Sequence, residues 1–317
     1  MRKITTVVMF LILISMEAFP RFRKVGTTGY VFLEIPVTAR MSSMGEVSAG
    51  VFPCGAGSIF TNPSLVSLIP TRYSVHSTFA DYIADIGHKA FSCVINTASS
   101  GAFGISLNVL EMGDMLETVN ADPLNPGSSY IVKGTFSADA FSAGLTYSRK
   151  LTNWFAYGLT IKFVRERIAS FESRNMLMDV GMIYLSRNER FRIGGYMQNF
   201  GVDTKYIGDS FKMPMIFRLG VSGELLGKIN TPSRLTVAVD AIHPSDYSER
   251  LNVGLEYCFK SRLFLRGGYK FNYDEEGWTA GFGTLLSSKS GLVNVDVSYA
   301  CFGRLGNVTR VSVNIGF

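Results

Sequence analysis

The chain has 317 residues, of which 47% are hydrophobic, yet no uninterrupted apolar run reaches the ~20 residues that a membrane-spanning helix requires. That excludes a helical membrane protein. The net charge of +6 comes from Lys and Arg scattered along the chain rather than gathered into a patch, which argues against a nucleic-acid binder.

The first element is Met1, Arg2 and Lys3 followed by the apolar stretch Thr5 to Met16 and a small residue at Ala18. A basic start, a short apolar core and a small residue after it predict a secretory signal peptide over residues 1–20. Residues 21–71 follow without strand alternation. Gly45, Gly50, Gly55 and Gly57, with Pro53 and Pro63, predict short helices and turns, folded as a plug into the mouth of whatever comes next.

From residue 72 to 317 the pattern changes to a period of two, which belongs to strands. Phe103, Ile105, Leu107 and Val109 alternate with Gly104, Ser106 and Asn108. Phe155, Tyr157, Leu159 and Ile161 alternate with Gly158 and Thr160, and Leu251, Val253 and Leu255 with Asn252, Gly254 and Glu256. The last run, Val311, Val313, Ile315 and Phe317 against Ser312, Asn314 and Gly316, resembles the final strand of bacterial outer-membrane barrels. About fourteen such runs are predicted, each of roughly nine to eleven residues, the length that crosses a bilayer as a tilted strand. Stretches 226–230 and 287–291 read as short turns, and 112–134 and 200–212 as long extracellular loops.

A soluble β-sandwich also alternates. Against it stand the aromatic residues near strand ends (Tyr147, Tyr157, Tyr184, Tyr257, Tyr269, Tyr299), which suit interfacial girdles. The strand lengths, the signal peptide and the small, polar opposite face argue the same way. Backbone in hydrocarbon must be fully paired, and a closed sheet has no edge. The predicted fold is therefore all-β: a transmembrane antiparallel β-barrel of about 14 strands with an N-terminal plug, in the bacterial outer membrane. Gly104, Gly144, Gly158, Gly181, Gly194, Gly220, Gly254, Gly268 and Gly281 all take the inward parity, leaving room in the lumen for something to fill or cross it.

The same parity gathers charges of both signs: Lys162, Asp179, Arg192, Arg218, Glu224, Asp240, Glu256, Arg266, Lys270 and Asp296. They form a mutually paired network, a grip on the plug or a polar path; buried charges need partners, which favours the first. Mixed signs argue against a strongly ion-selective pore. Asp274-Glu275-Glu276 reads as a solvated turn rather than a calcium cage. His76, His88 and His243 lack metal-ligand spacing, and no GxSxG is present. No cofactor, metal or catalytic residue is expected. By parity Cys93 and Cys301 face lipid and Cys258 the lumen, with Cys54 in the N-terminal segment; disulfides stay open.

Segments 79–95, 104–115, 147–166, 197–201 (MQNFG), 237–257, 267–277 and 302–307 (FGRLGN) together resemble the PorV/PorQ family, within the wider FadL-like group of outer-membrane barrels. The N-terminal segment is similar to that family's hatch: Arg40, Met44 and Gly45 stand in an ARxxxMG-like run, and Asn62 and Pro63 open the run Asn62-Pro63-Ser64-Leu65, similar to the family's NPAGL element. Ser64 occupies a usual Ala, and Pro53-Cys54-Gly55 a usual acidic turn. The resemblance implies a PorV-like role, binding exported proteins through their C-terminal domains, or a secretion complex, in type IX-like secretion and surface attachment. The wider group implies instead uptake of hydrophobic small molecules. The second reading requires an apolar pocket between plug and wall, with a strand kink or gap.

Overall fold

The computed structural model describes residues 26–317, apart from positions 54, 98, 121–129, 189, 230, 289 and 290. The expected signal peptide, Cys54 and the loop residues Pro123, Pro126 and Gly127 lie outside the described residues.

Among the described residues sixteen strands form: β1 (Tyr73–Asp81), β2 (Gly87–Asn96), β3 (Ala102–Asn120), β4 (Tyr130–Lys150), β5 (Phe155–Ile168), β6 (Phe171–Leu185), β7 (Phe191–Phe200), β8 (Thr204–Lys205), β9 (Ser210–Phe211), β10 (Ile216–Leu226), β11 (Arg234–Pro244), β12 (Arg250–Phe259), β13 (Leu263–Phe271), β14 (Trp278–Ser288), β15 (Gly291–Cys301) and β16 (Asn307–Gly316). Fourteen of them close into one antiparallel barrel, each pairing with its chain neighbour, β7 with β10, and β1 with β16. Closure continues to the last residue: Phe317 and Tyr73 exchange backbone hydrogen bonds of 2.9 and 3.1 Å. The two remaining strands, β8 and β9, make a small separate hairpin.

The even strand number puts both ends of the sheet at one rim. Short connections gather there, among them 150–155, 259–263 and 288–291, and we take this rim as periplasmic, because short turns lie on that side in outer-membrane barrels. At the other rim the structure departs from the uniform strand length expected. β3 and β4 have 19 and 21 residues, and β5 and β6 have 14 and 15. The expected loop 112–134 is largely strand: β3 and β4 stay paired out to Asn120 opposite Tyr130, through register shifts after Glu111 and Glu117. Gly113, at φ 62°, makes the first of these turns. The expected loop 200–212 likewise carries the β8–β9 hairpin.

Side chains alternate as the sequence pattern requires. Leu145, Leu265 and Val311 point outward and are exposed, while Ser148, Thr160 and Ser298 point inward and are buried. Such an outer face is stable only against hydrocarbon.

Residues 26–71 run inside the barrel as an inner segment of short turns. It contains 3-10 turns at Val31–Glu34, Ala56–Phe60 and Pro63–Leu68, and one short helix, α1 (Ala39–Ser43). The Thr38 side chain caps α1 by accepting the Met41 amide. Inward glycines are where this segment meets the wall. A Cβ on Gly194 would lie 1.7 Å from the Ala49 carbonyl oxygen, one on Gly268 2.1 Å from the Gly45 nitrogen, and one on Gly158 2.3 Å from the Pro63 carbonyl carbon. Backbone packs against backbone there, which no residue with a side chain permits. Gly144 is different, meeting only wall residues such as Ser106.

Candidate functional site

The lumen brings together nearly everything the sequence marked. All ten charged residues of inward parity point into the barrel. Lys162 and Asp179 pair at 2.9 Å, Arg192 and Glu224 at 2.7 Å, and Arg266 joins Glu256 and Asp296, each at 2.7 Å. The others reach the inner segment. Asp240 accepts the Ser48 and Ala49 amides at 2.7 and 3.0 Å. Arg218 donates to the Glu46 carbonyl at 2.9 Å, and Lys270 to the Glu46 carboxylate at 2.5 Å. The wall pairs with itself and also grips what it encloses.

The motif residues of the inner segment supply the other half of these contacts. Arg40 makes a two-pronged ion pair with Glu256, Nε to Oε2 and Nη2 to Oε1, both 2.8 Å, and donates Nη1 to the Phe52 carbonyl. Met44 and Gly45 lie over Gly254 and Gly268. Asn62 donates to the Ala49 and Met182 carbonyls at 3.1 Å and accepts from the Ser64 hydroxyl at 2.7 Å, so Ser64 serves the turn directly. Pro63 opens the turn that lies on β5.

Four functional groups escaped the sequence reading. Glu46, in left-handed backbone at φ 64°, is the anion that Arg218 and Lys270 share. Burial alone would raise its pKa; Lys270 and Arg218 reverse the sign and hold the carboxyl below its ordinary range. The half-buried Glu34 behaves oppositely. Burial, then the Asp246 carboxylate, push it up to about 7, while Arg250 and Arg218 oppose. Arg310 is buried with Nε and Nη2 lacking hydrogen-bond partners; its inward parity in the last strand was the available signal. Asn199 forms a bulge, at φ 62°, where β7 slips against β6 between Met178 and Val180. It accepts from Lys162 at 2.6 Å and donates to the Pro214 carbonyl at 3.0 Å.

The remaining sequence candidates disperse. Glu275 bonds to Arg304 and Glu276 pairs with Lys270, so the acidic turn points its carboxylates at different cations. His76 and His88 are buried in the lumen against Asn314 and Asn108, and His243 is exposed at 3.4 Å from Glu249. Cys258 is buried on the inward side; Cys93 and Cys301 are partly exposed on the outer one, and all three are free thiols. Three inward apolar residues of the wall, Ile183, Tyr196 and Phe264, could either pack the inner segment or line a pocket; Ile183 packs under Leu65 and Leu68, and Tyr196 bonds to Ser48.

Phe264 does something else. With Ile229, Leu285 and Leu292 of the barrel, and Val51, Phe52, Pro53, Ile69 and Pro70 of the inner segment, it lines a partly open cavity of about 250 Å³. Arg40, Arg192, Arg234, Arg266, Glu224 and Glu256 contribute a charged border. The barrel residues sit at periplasmic strand ends, so the cavity lies between the inner segment and that rim.

No family model and no characterised protein sequence matches this chain. Solved structures do. The toluene transporter TbuX of Ralstonia pickettii is 13% identical with a TM-score of 0.58, covering 88% of this chain and 96% of its own. A FadL homologue of Pseudomonas aeruginosa gives 13% and 0.59 over 89% and 99%, and the toluene transporter TodX of Pseudomonas putida 12% and 0.57 over 92% and 98%. At these identities the likeness is one of fold: a FadL-like barrel. The closed sheet, its fourteen strands and its apolar outer face make the chain a β-barrel of the bacterial outer membrane.

Proposed function

We propose that this chain passes hydrophobic small molecules across the outer membrane, with the inner segment as the plug that closes the lumen and shapes the path. The observation that carries the reading is the apolar cavity between inner segment and wall. An apolar cavity of roughly 150 Å³ already takes up benzene, so a pocket of about 250 Å³ suits a substituted monoaromatic ring. The register shift at Asn199, the strand irregularity of β6 and β7, lies at the extracellular end of those strands and away from this cavity. The fold neighbours support the same choice, since two are described as toluene transporters.

The test is uptake of labelled toluene by cells carrying the full chain, compared with a Phe264→Trp variant that fills the cavity. Uptake above cells lacking the chain, cut several-fold by Phe264→Trp, is expected. Equal uptake with and without the chain would end the proposal.

The second reading, receipt of exported proteins in the manner of PorV, is favoured by one observation. The β3–β4 ribbon rises beyond its neighbours with Leu116, Tyr130, Ile131 and Val132 exposed. A native pull-down that returns secreted proteins, lost when residues 112–136 are shortened, would support it over transport.

A further inference from the structure

On its outer face, at the extracellular border, the barrel carries a charged row that runs from β2 to β6 among the described residues: Lys89 and Glu111 pair with each other at 2.6 Å, Glu111 stands opposite Asp139, and the arginines gather at the β5–β6 end. Arg165 and Arg167 on β5, Arg174 on β6, Asp139 on β4 and Glu172 on β6 all have outward parity. Register stacks them in rows. Asp139, Arg167 and Glu172 are cross-strand partners; one row nearer the membrane, Arg165 stands directly opposite Arg174. The next row down is apolar, with Phe163 opposite Met176, both exposed. The cluster therefore lies where hydrocarbon gives way to headgroups.

Like charges placed directly opposite are unfavourable in a sheet, and the carboxylates do not fully offset them. Asp139 sits 2.5 Å from Arg167 Nη2 and 3.6 Å from Arg165 Nη2. Glu172 sits 3.3 Å from Arg165 Nε and also pairs with Arg174. Three guanidiniums share two carboxylates, and Arg174 keeps two-thirds of its side-chain surface exposed. On the opposite wall the same level is held by Phe217, Leu251, Phe271 and Trp278, with His243 beside Phe217 and 3.4 Å from Glu249.

We propose that this cluster binds the phosphorylated headgroup of an outer-leaflet glycolipid, with the acyl chains lying on the apolar row beneath. Arg is the side chain best matched to phosphate, through paired N–H donors in a plane. An anion held at this depth, above exposed Phe163 and Met176, must carry its own hydrocarbon, which selects a lipid over a soluble anion. The site is independent of whatever passes through the lumen.

The experiment uses the full chain in nanodiscs and measures retention of bisphosphorylated lipid A by native mass spectrometry, alongside the same lipid with both phosphates removed. The phosphorylated form should be retained preferentially. Arg165→Gln with Arg174→Gln should weaken it on the order of fivefold per arginine, and Glu172→Gln should strengthen it. Lys228→Gln, at the periplasmic rim, should change nothing. Equal retention of the two lipids by the unaltered protein would overturn the proposal without reference to any variant. So would displacement by inorganic phosphate at matching concentration, which would mark a soluble-anion site instead.

Discussion

Removing the Arg40 side chain should loosen the inner segment by an amount the geometry allows one to work out. Arg40→Met deletes a two-pronged ion pair with Glu256, both contacts at 2.8 Å, and the bond to the Phe52 carbonyl. Hydrogen bonds to charged partners contribute about 1.5–3 kcal/mol each, and breaking a buried pair costs about 3–5 kcal/mol. Glu256 keeps Arg266 at 2.7 Å, so the lower end applies, about 3 kcal/mol. Glu256→Leu should cost somewhat more, because it removes the carboxylate that Arg40 and Arg266 share, two charged contacts at once, although Arg266 keeps Asp296 and Arg40 the Phe52 carbonyl. With both changes together the loss should fall short of the sum by about 2 kcal/mol, since each single change already removes the interaction between the two side chains. Urea unfolding in detergent gives the global figure. Amide exchange over residues 39–53 tells whether the inner segment or the barrel loosens. Single changes that add to within about 0.5 kcal/mol, or cost under 1 kcal/mol each, would refute the claim that this pair fastens the segment to the wall.

Other outcomes follow from the same geometry. Gly268→Val should expel the segment, its Cβ lying 2.1 Å from Gly45 nitrogen, whereas Gly267→Ala, outward with nothing nearer than 3.8 Å, should leave melting temperature and exchange unchanged. Glu34 has a folded-state pKa of about 7 against an ordinary 4.5, so its favourable contribution is complete below about 4.5 and is lost as pH rises through 7. A carboxyl moved from 4.5 to about 7 can change stability by at most about 3 kcal/mol. Amide exchange around residues 31–36 should therefore quicken between pH 5 and 8, beyond its intrinsic rate, and Glu34→Gln should flatten that rise. Asn199→Ala should destabilise by about 2 kcal/mol or more, losing bonds to Lys162 and Pro214 and keeping an L side chain at φ 62°. Asn199→Gly should be milder in the same unfolding assay; the reverse order would show that backbone conformation is not what Asn199 supplies.

The strands were legible because a barrel wall meets two different solvents, and each residue's parity reports which one it faces. Val311, Val313 and Ile315 on one face and Ser312 and Asn314 on the other already state the outcome. The long β3–β4 ribbon was not legible. Beyond Glu111 both faces meet water and the alternation that marks a strand disappears. The Asn199 bulge was hidden for a related reason: one extra residue flips parity without changing composition. Within the candidate site, parity identified the ten wall charges. It could not identify Glu46 or Glu34, which lie in irregular turns where no period operates.

By itself the sequence determined that a closed apolar-out sheet forms and that its interior is lined with glycines and charges of both signs. Both are local consequences of alternation, written every second residue. Only the tertiary structure decided what the glycines make room for, which charges pair, and where a cavity remains. Arg40 and Glu256 are separated by more than two hundred residues, and nothing short of closing the barrel around the inner segment brings them together. The Phe264 pocket likewise exists only between two surfaces that the chain supplies from opposite ends.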